Sequence, residues 1–304
     1  MNKEKVVVTG GAGFIGSNLA AQLLSEGFEV HIVDTLIGGK KERVPNEAHL
    51  HKVDIRSKEE LLPIFDGAQY VFHLAALPRV QYSIEFPEET SSVNVLGTLS
   101  VLEAARAMSV KKVVYSASSS AYGDQEKLPL TEDMEARPKS PYGLQKRIGE
   151  EYCAVWSEVY GLPTVSLRYF NVYGPGQSDD GAYALVIAKF LKSRREGKQL
   201  TITGNGEQTR DFTHVRDVVS ANILAARSEK VGKGEIINIG AGANQSIKYI
   251  AELIGGEVEY IDARLEPKNT LADNSRAQDL LGWVPTISIE EGILDLKTRE
   301  GKGV

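Results

Sequence analysis

Only one cysteine, Cys153, stands in a chain of 304 residues. An internal disulfide is excluded, and a reducing compartment fits. A lone cysteine of this kind reads as a small buried hydrophobe. Histidine is scarce too, with five residues, of which only His49 and His51 are close in sequence. With no cysteine cluster and no His-Glu-x-x-His pattern, no metal site is expected. No apolar run approaches the ~20 residues that a membrane span needs. A strand-like run, "KVVVT", begins at Lys5. That leaves no room for a signal peptide, so a cytoplasmic chain with no membrane partner is expected. Basic residues are outnumbered, 35 against 41, for a net charge of −6. The balance argues against a broad nucleic-acid-binding surface but leaves room for a local basic pocket for phosphates.

What is present is alternation. Short β-branched runs recur: "KVVVT", "EVHIVD", "HLHKVD", "YVFHLA", "KKVVYSA", "TVSLRYF" and "GEIINIG". Helical spacing fills the earlier gaps. In "GFIGSNLAAQLLSEG", Ile15, Leu19, Leu23 and Leu24 share a face, and Gly27 is a stop. "SKEELLPIF", "TSSVNVLGTLSVLEAARAM" and "SPYGLQKRIGEEYCAVWSEVYG" read as further helices. Strands that are apolar throughout and alternate with helices indicate a parallel sheet covered on both faces. The expected fold class is α/β, a Rossmann-type doubly wound parallel sheet with a smaller α/β C-terminal substrate-binding domain. After Tyr169 the chain turns to "NVYGPGQSDDGAY", rich in turn formers. Residues 1–168 are therefore assigned to the first domain and 169–304 mainly to the second. A segment near 211–240 is expected to return to the first. Two small helices are expected near the C-terminus.

"TGGAGFIG" places Gly10, Gly13 and Gly16 three apart, after a strand and at the start of a helix. Glycine permits a tight turn and lets a pyrophosphate approach the helix N-terminus, opened here by Phe14 and Ile15. Free N–H groups and the helix dipole favour an anion there. The second strand ends "HIVD", with Asp34 eighteen residues past Gly16. A carboxylate in that place binds a ribose 2′-hydroxyl and repels a 2′-phosphate, which favours NAD over NADP. Tyr142 and Lys146 in "SPYGLQK" are four apart. Pro141 suits a first helical turn, so the two side chains share a face. A phenol, with a pKa near ~10, is too weak an acid to serve as a base at neutral pH. A neighbouring ammonium is expected to lower that value. Tyr142 would then accept a proton from a substrate hydroxyl as a hydride leaves the same carbon. "SASSSAYG", Ser116–Gly123, ends the strand before this helix, at the sheet edge where ligands bind. It carries hydroxyls but no carboxylate, histidine or cysteine.

Taken together, these motifs resemble the extended short-chain dehydrogenase/reductase family, and the likeness covers essentially the whole chain. Within it the chain is most similar to NAD-dependent UDP-hexose 4-epimerases. The resemblance implies that Asp54 and Ile55 hold the adenine and that Leu74, Ala75 and Ala76 line the cofactor. It adds Asn94, Ser116 and Tyr169 to that lining, beside Tyr142 and Lys146. Ser118, four before Tyr122, matches the catalytic serine of the family. Its hydroxyl would bond the reacting oxygen and pass a proton to Tyr142. Ser119 and Ser120 would contact substrate. Sugar-nucleotide 4,6-dehydratases carry an Asp-Glu pair in this stretch, and UDP-glucuronate decarboxylases a Glu where Ser120 stands. With neither acid present, the simplest outcome is oxidation at C4, rotation of the ketone and hydride return to its other face.

The same resemblance implies that Asn171 in "RYFNVYGPGQ" and Arg210 in "GNGEQTRDFTHVRDV" hold a diphosphate. Guanidinium makes forked, charge-assisted bonds that suit such a group; Asp211 or Asp217 would be its alternative partners within the chain. Leu185 and Val186 would flank the base, and Arg264 is a second diphosphate candidate. Arg79, Gln81 and Ser83 would face the sugar with Tyr142. Gln81 stands where relatives acting on UDP-glucuronate tend to have Arg. Thr270 aligns with a size gate, where a bulky Tyr restricts the pocket to glucose and galactose and a small residue admits an acetamido group. The expected substrates are UDP-GlcNAc/UDP-GalNAc, with UDP-Glc/UDP-Gal also accepted. A UDP-glucuronate 4-epimerase and a net NAD-dependent sugar-nucleotide oxidoreductase are the alternatives. Helices around 90–108 and 142–160 form a dimer bundle in the family, so a homodimer is expected.

Overall fold

The computed structural model describes residues 3–178, 185–262 and 269–300. The seven β-branched runs form one parallel sheet: β1 (Lys5–Thr9), β2 (Glu29–Val33), β3 (His49–His51), β4 (Ala68–His73), β5 (Lys112–Ser118), β6 (Thr164–Tyr169) and β7 (Lys233–Ile239). Their spatial order is β7-β6-β5-β4-β1-β2-β3. Direction of winding reverses between β1 and β4, and a crevice opens there beyond the carboxyl ends of the strands.

Side chains alternate across each strand, and the two faces pack into separate cores. Val6, Val8, Tyr70, Phe72 and Val114 join Leu19 and Leu23 of the helix Phe14–Ser25. Val7, Val71, Val113 and Tyr115 join Leu61, Leu102 and Trp156 on the other face. Both faces are covered, which is why the strands read as apolar throughout. Cys153 lies in the second core, where burial pushes its thiol up to about 12. It is a packing residue.

Three helices matter for the site. Phe14–Ser25 follows the glycine loop, and Gly27, at φ +89°, turns the chain back. Pro87–Ser91, a wider π turn at Ser92–Leu96 and Gly97–Ala107 make one continuous helical path. Pro141–Tyr160 carries the Tyr-Lys pair. Ser140 caps it by accepting from Gly143 N at 3.1 Å, Pro141 opens it, and Gly161, at φ +68°, closes it. This helix is locked to β6 by Glu150, whose two oxygens accept from Arg168 Nε and Nη2, both at 2.7 Å. Neither side chain reaches solvent, so removing one partner would strand a buried charge at a cost of ~3–5 kcal/mol.

The segment after Asp211 returns to the sheet. Val215–Arg227 packs Val218, Ala221 and Ala225 into the core of the first helix, and β7 pairs with β6. Lys112 Nζ donates to Ala225 O and Ser228 O at that helix's C-terminus, at 3.2 and 2.6 Å. A further core of Tyr173, Phe190, Ile202, Ile250 and Ile293 lies under the remaining elements. Ser275–Leu281 and Ile289–Glu300 are the two C-terminal helices. Among the described residues, no helix is long and apolar enough to cross a membrane.

Candidate active site

Glycine is required where the loop after β1 meets the end of β4. Gly10 has φ +72°, and a Cβ there would lie 2.7 Å from Ala75 N. At Gly16 a Cβ would run into the Gly10 carbonyl oxygen. The helix that follows has Gly13 as its N-cap, no capping side chain and no acid in its first turn. Its first N–H groups, at Phe14, Ile15 and Gly16, therefore face a bare cradle suited to a diphosphate. Asp34, at the end of β2, is 9% exposed. Its oxygens accept from Ala12 N at 3.0 Å and Leu36 N at 2.8 Å, which fixes the carboxylate beside the glycine loop. These residues fit a dinucleotide. Asp54 is bound through both oxygens by Arg56, which holds its carboxyl below the usual range. Ile55 is buried in the second core, and Gly97 leaves it room.

A chain of hydrogen bonds sets the floor of the crevice. Thr98 Oγ1 donates to Asn94 O at 2.7 Å, so His73 Nε2 donates to Thr98 at 3.0 Å. His73 Nδ1 then accepts from Thr9 Oγ1 at 2.8 Å, and Thr9 accepts from Ala75 N at 3.2 Å. Burial drops His73 to about 3, so the ring is neutral. The chain holds Leu74, Ala75 and Ala76 at the crevice. Asn94, expected as a cofactor contact, has another duty. Its Nδ2 donates to Leu77 O and Gln145 Oε1, at 3.2 and 2.7 Å, and its Oδ1 accepts from Leu77 N at 2.8 Å. Both amide hydrogens are committed to clamping the segment after β4 against the Tyr-Lys helix.

Ser116, Ser118, Tyr142 and Lys146 meet at the end of β5. Lys146 Nζ donates to Ser116 O at 2.7 Å and lies 6.0 Å from the centre of the Tyr142 ring. Burial lowers Lys146 to about 8. Ser118 lies close enough to Tyr142 to favour its phenolate, and its Oγ accepts from Ser120 Oγ at 2.8 Å and Ser120 N at 3.2 Å. Ser119 opens the short 3-10 turn Ser119–Ala121 between them. The expected lowering of the Tyr142 pKa is not found. Burial pushes the phenol up to about 12, against the smaller pull of Ser118 and Arg79. Lys146 is turned to a backbone carbonyl and is itself penalised by burial.

Ser83, expected to face the sugar, is engaged by the backbone. It is fully buried, accepts from Tyr142 N at 3.0 Å and donates to Val80 O at 2.6 Å. It braces the first turn of the Pro141–Tyr160 helix. Gln81 is exposed and donates to Glu85 at 3.0 Å. Arg79 is partly buried and close enough to Tyr142 to favour its phenolate. The Tyr169 hydroxyl donates to Asn222 Oδ1 at 2.9 Å within the first core.

Four of the expected sugar-nucleotide residues converge elsewhere. Asn171, Leu185, Val186 and Arg210 line one pocket of about 160 Å³. Thr270 joins them: its Oγ1 accepts from Asn171 Nδ2 and Asp211 N, each at 3.3 Å. Asp211 accepts from Ala241, Gly242 and Ala272 N–H groups. Asp217 accepts from Thr286 and Ile287 N–H groups. Both carboxylates thus serve the backbone. Gln177, Thr203, Gln208 and Phe212 also line the pocket; sequence reasoning missed them, since nothing in their spacing sets them apart from other loop residues. Arg264 lies outside the described residues.

The description of the family model that matches residues 6–240 is the NAD dependent epimerase/dehydratase family. A putative UDP-glucose 4-epimerase of Methanocaldococcus jannaschii is 37% identical over 297 residues, covering 95% of each chain. A UDP-glucuronate 4-epimerase of Thermodesulfobacterium geofontis is 36% identical, over 94% of this chain and 93% of its own. The solved structure of a UDP-N-acetylglucosamine 4-epimerase from Methanobrevibacter ruminantium superposes with a TM-score of 0.91 at 35% identity, over 98% of this chain and 100% of the other. A glycine cradle with its acid at the end of β2, a serine-tyrosine-lysine cluster at the end of β5 and likeness along nearly the whole length agree. The chain belongs to the NAD dependent epimerase/dehydratase family, the extended short-chain dehydrogenase/reductases, and its cofactor is NAD.

Proposed function

We propose that this chain is a 4-epimerase of UDP-hexoses, acting on UDP-GlcNAc/UDP-GalNAc and also on UDP-Glc/UDP-Gal. The carrying observation is the cluster of Ser118, Tyr142 and Lys146 at the end of a strand whose next five residues, Ser119–Gly123, carry no carboxylate. Gly10, Gly13 and Gly16 would cradle the diphosphate of NAD, and Asp34 would bind its ribose. When bound, NAD supplies a reversible hydride acceptor for C4 of the sugar. Tyr142 Oη moves the proton of the 4-hydroxyl, and Ser118 Oγ holds that oxygen in place. Lys146 favours the phenolate once its charge is the nearest compensation. No acid stands by to eliminate water or to assist decarboxylation, so the ketone is left to turn and be reduced again.

Arg210 and Asn171 would hold the diphosphate of the sugar nucleotide, and Leu185 and Val186 its base. Thr270 is small and drawn towards Asn171 and Asp211 N, which supports room for an acetamido group. The lack of a cation at Gln81 speaks against a uronate carboxylate. A homodimer is part of the reading: Leu144, Val155 and Val159 form an exposed apolar stripe on the catalytic helix, next to exposed Leu96. The single buried thiol suits the cytoplasm.

Separate incubations with UDP-Glc, UDP-GlcNAc and UDP-GlcA, with the products read by NMR, test this reading. Interconversion of the first two without accumulation of NADH is expected. Turnover of UDP-GlcA alone would replace the substrate. Stoichiometric NADH would replace the reaction class.

A further inference from the structure

His31 meets His49 and His51, about twenty residues further along the chain, on the outer edge of the sheet. β2 and β3 run parallel, with His31 opposite His49 and Val33 opposite His51. Residues two apart on a strand share a face, so Glu29, His31, His49 and His51 all project to the same side. Donor atoms of Glu29, His31 and His49 lie within 4.8 Å of one another. Glu29 Oε1 is 3.0 Å from His31 Nε2 and 3.9 Å from His49 Nε2. Two ligands on a tetrahedral zinc, at ~2.0–2.1 Å from it, stand roughly 3.3 Å apart. The observed separations bracket that value, so small side-chain rotations suffice.

From this arrangement we propose a transition-metal site of the zinc class on Glu29, His31 and His49, separate from the dinucleotide and sugar sites. Two imidazoles and a carboxylate are a borderline donor set suited to Zn²⁺, with Ni²⁺ and Co²⁺ as chemical neighbours. The fourth position opens to water, since the side chains of His49 and Glu29 are 59% and 43% exposed. His51 completes the arrangement from behind. Its Nε2 is 2.9 Å from His31 Nδ1, and the planes of the two rings lie within 10° of each other. With His31 Nδ1–H donating to His51, Nε2 carries the lone pair that a metal needs, which is the usual outer-shell device for fixing a ligand histidine. The metal would tie β3, an edge strand of three residues, to β2. His51 O accepts from Asp34 N at 3.1 Å, so the same strand pair carries the acid beside the glycine loop.

Titration of the chelator-treated full-length protein with ZnCl₂ by calorimetry tests the proposal, with the cobalt(II) absorption spectrum as a second readout. One saturable equivalent of Zn²⁺ is expected, together with cobalt bands of a four-coordinate site and a higher Tm with zinc. His49 is exposed, so His49→Ala should fold normally, lose the cobalt bands and keep epimerase activity without zinc. His51→Ala should weaken zinc by about tenfold. Absence of saturable uptake in the wild type, or unchanged affinity in His49→Ala, would overturn the site.

Discussion

Around Tyr142 nearly every polar group is tied to another part of the chain, whereas around Arg210 the walls come from loops and element ends. Lys146 is held by Ser116 O, Ser118 by Ser120, and the first turn of the helix by Ser83. Asn94 and Gln145 clamp the helix from the side. The pocket around Arg210 instead borrows Asn171 and Gln177 from a turn, Leu185 from a helix end and Gln208 and Arg210 from a strand and its approach. The first region is built for one chemistry, and its geometry follows from the fold. The second can change its walls without disturbing the sheet. This is why the family reads clearly while relatives of 35–37% identity bear three different sugars in their names.

The comparison breaks most readily at its rigid end. Replacing Tyr142 by Phe should lower kcat by ~10²–10⁴ while NAD stays bound; activity close to wild type would remove the proton-transfer role. Gly16→Ala should come next, with NAD affinity reduced by roughly tenfold or more, because the new Cβ collides with the Gly10 carbonyl. Fluorescence titration with NADH would measure it.

Acid should expose the cost of the buried floor. His73 falls from 6.5 to about 3 on folding. A depressed base contributes stability above pH 6.5 that is lost as pH falls towards 3, because the unfolded chain takes up a proton that the folded one refuses. Unfolding by urea at several pH values should show stability declining through that window, and His73→Asn should flatten the slope. At the adaptable end the effect should be smaller and selective. Thr270→Tyr should reduce turnover of UDP-GlcNAc by about tenfold relative to UDP-Glc; equal loss on both sugars would contradict a size gate.

Much of the rigid end was legible in the sequence, because strands buried on both faces and a glycine loop between strand and helix leave strong local patterns. Gly10 sits between β1 and the first helix, Gly16 lies in the first turn of that helix, and Ser118, Tyr142 and Lys146 come together at the end of β5. What stayed hidden depends on neighbours that spacing does not reveal. Ser83 and Asn94 were read towards ligand, yet each is engaged inside the protein, since only the packed structure shows the Tyr142 N–H and the Gln145 amide beside them. The sign of the Tyr142 shift depends on burial, which outweighs the pull of Ser118 and Arg79. His31 meets His49 and His51 only through the register of two parallel strands. Pocket residues such as Gln208 carry no local signature at all.

The central claim is that one hydride leaves C4 and returns to it. UDP-glucose carrying deuterium at C4 tests it most directly. The account predicts UDP-galactose that retains the label at C4 with no release to solvent. Loss of the label to water during interconversion would contradict it, since the C4 hydrogen would then have travelled as a proton.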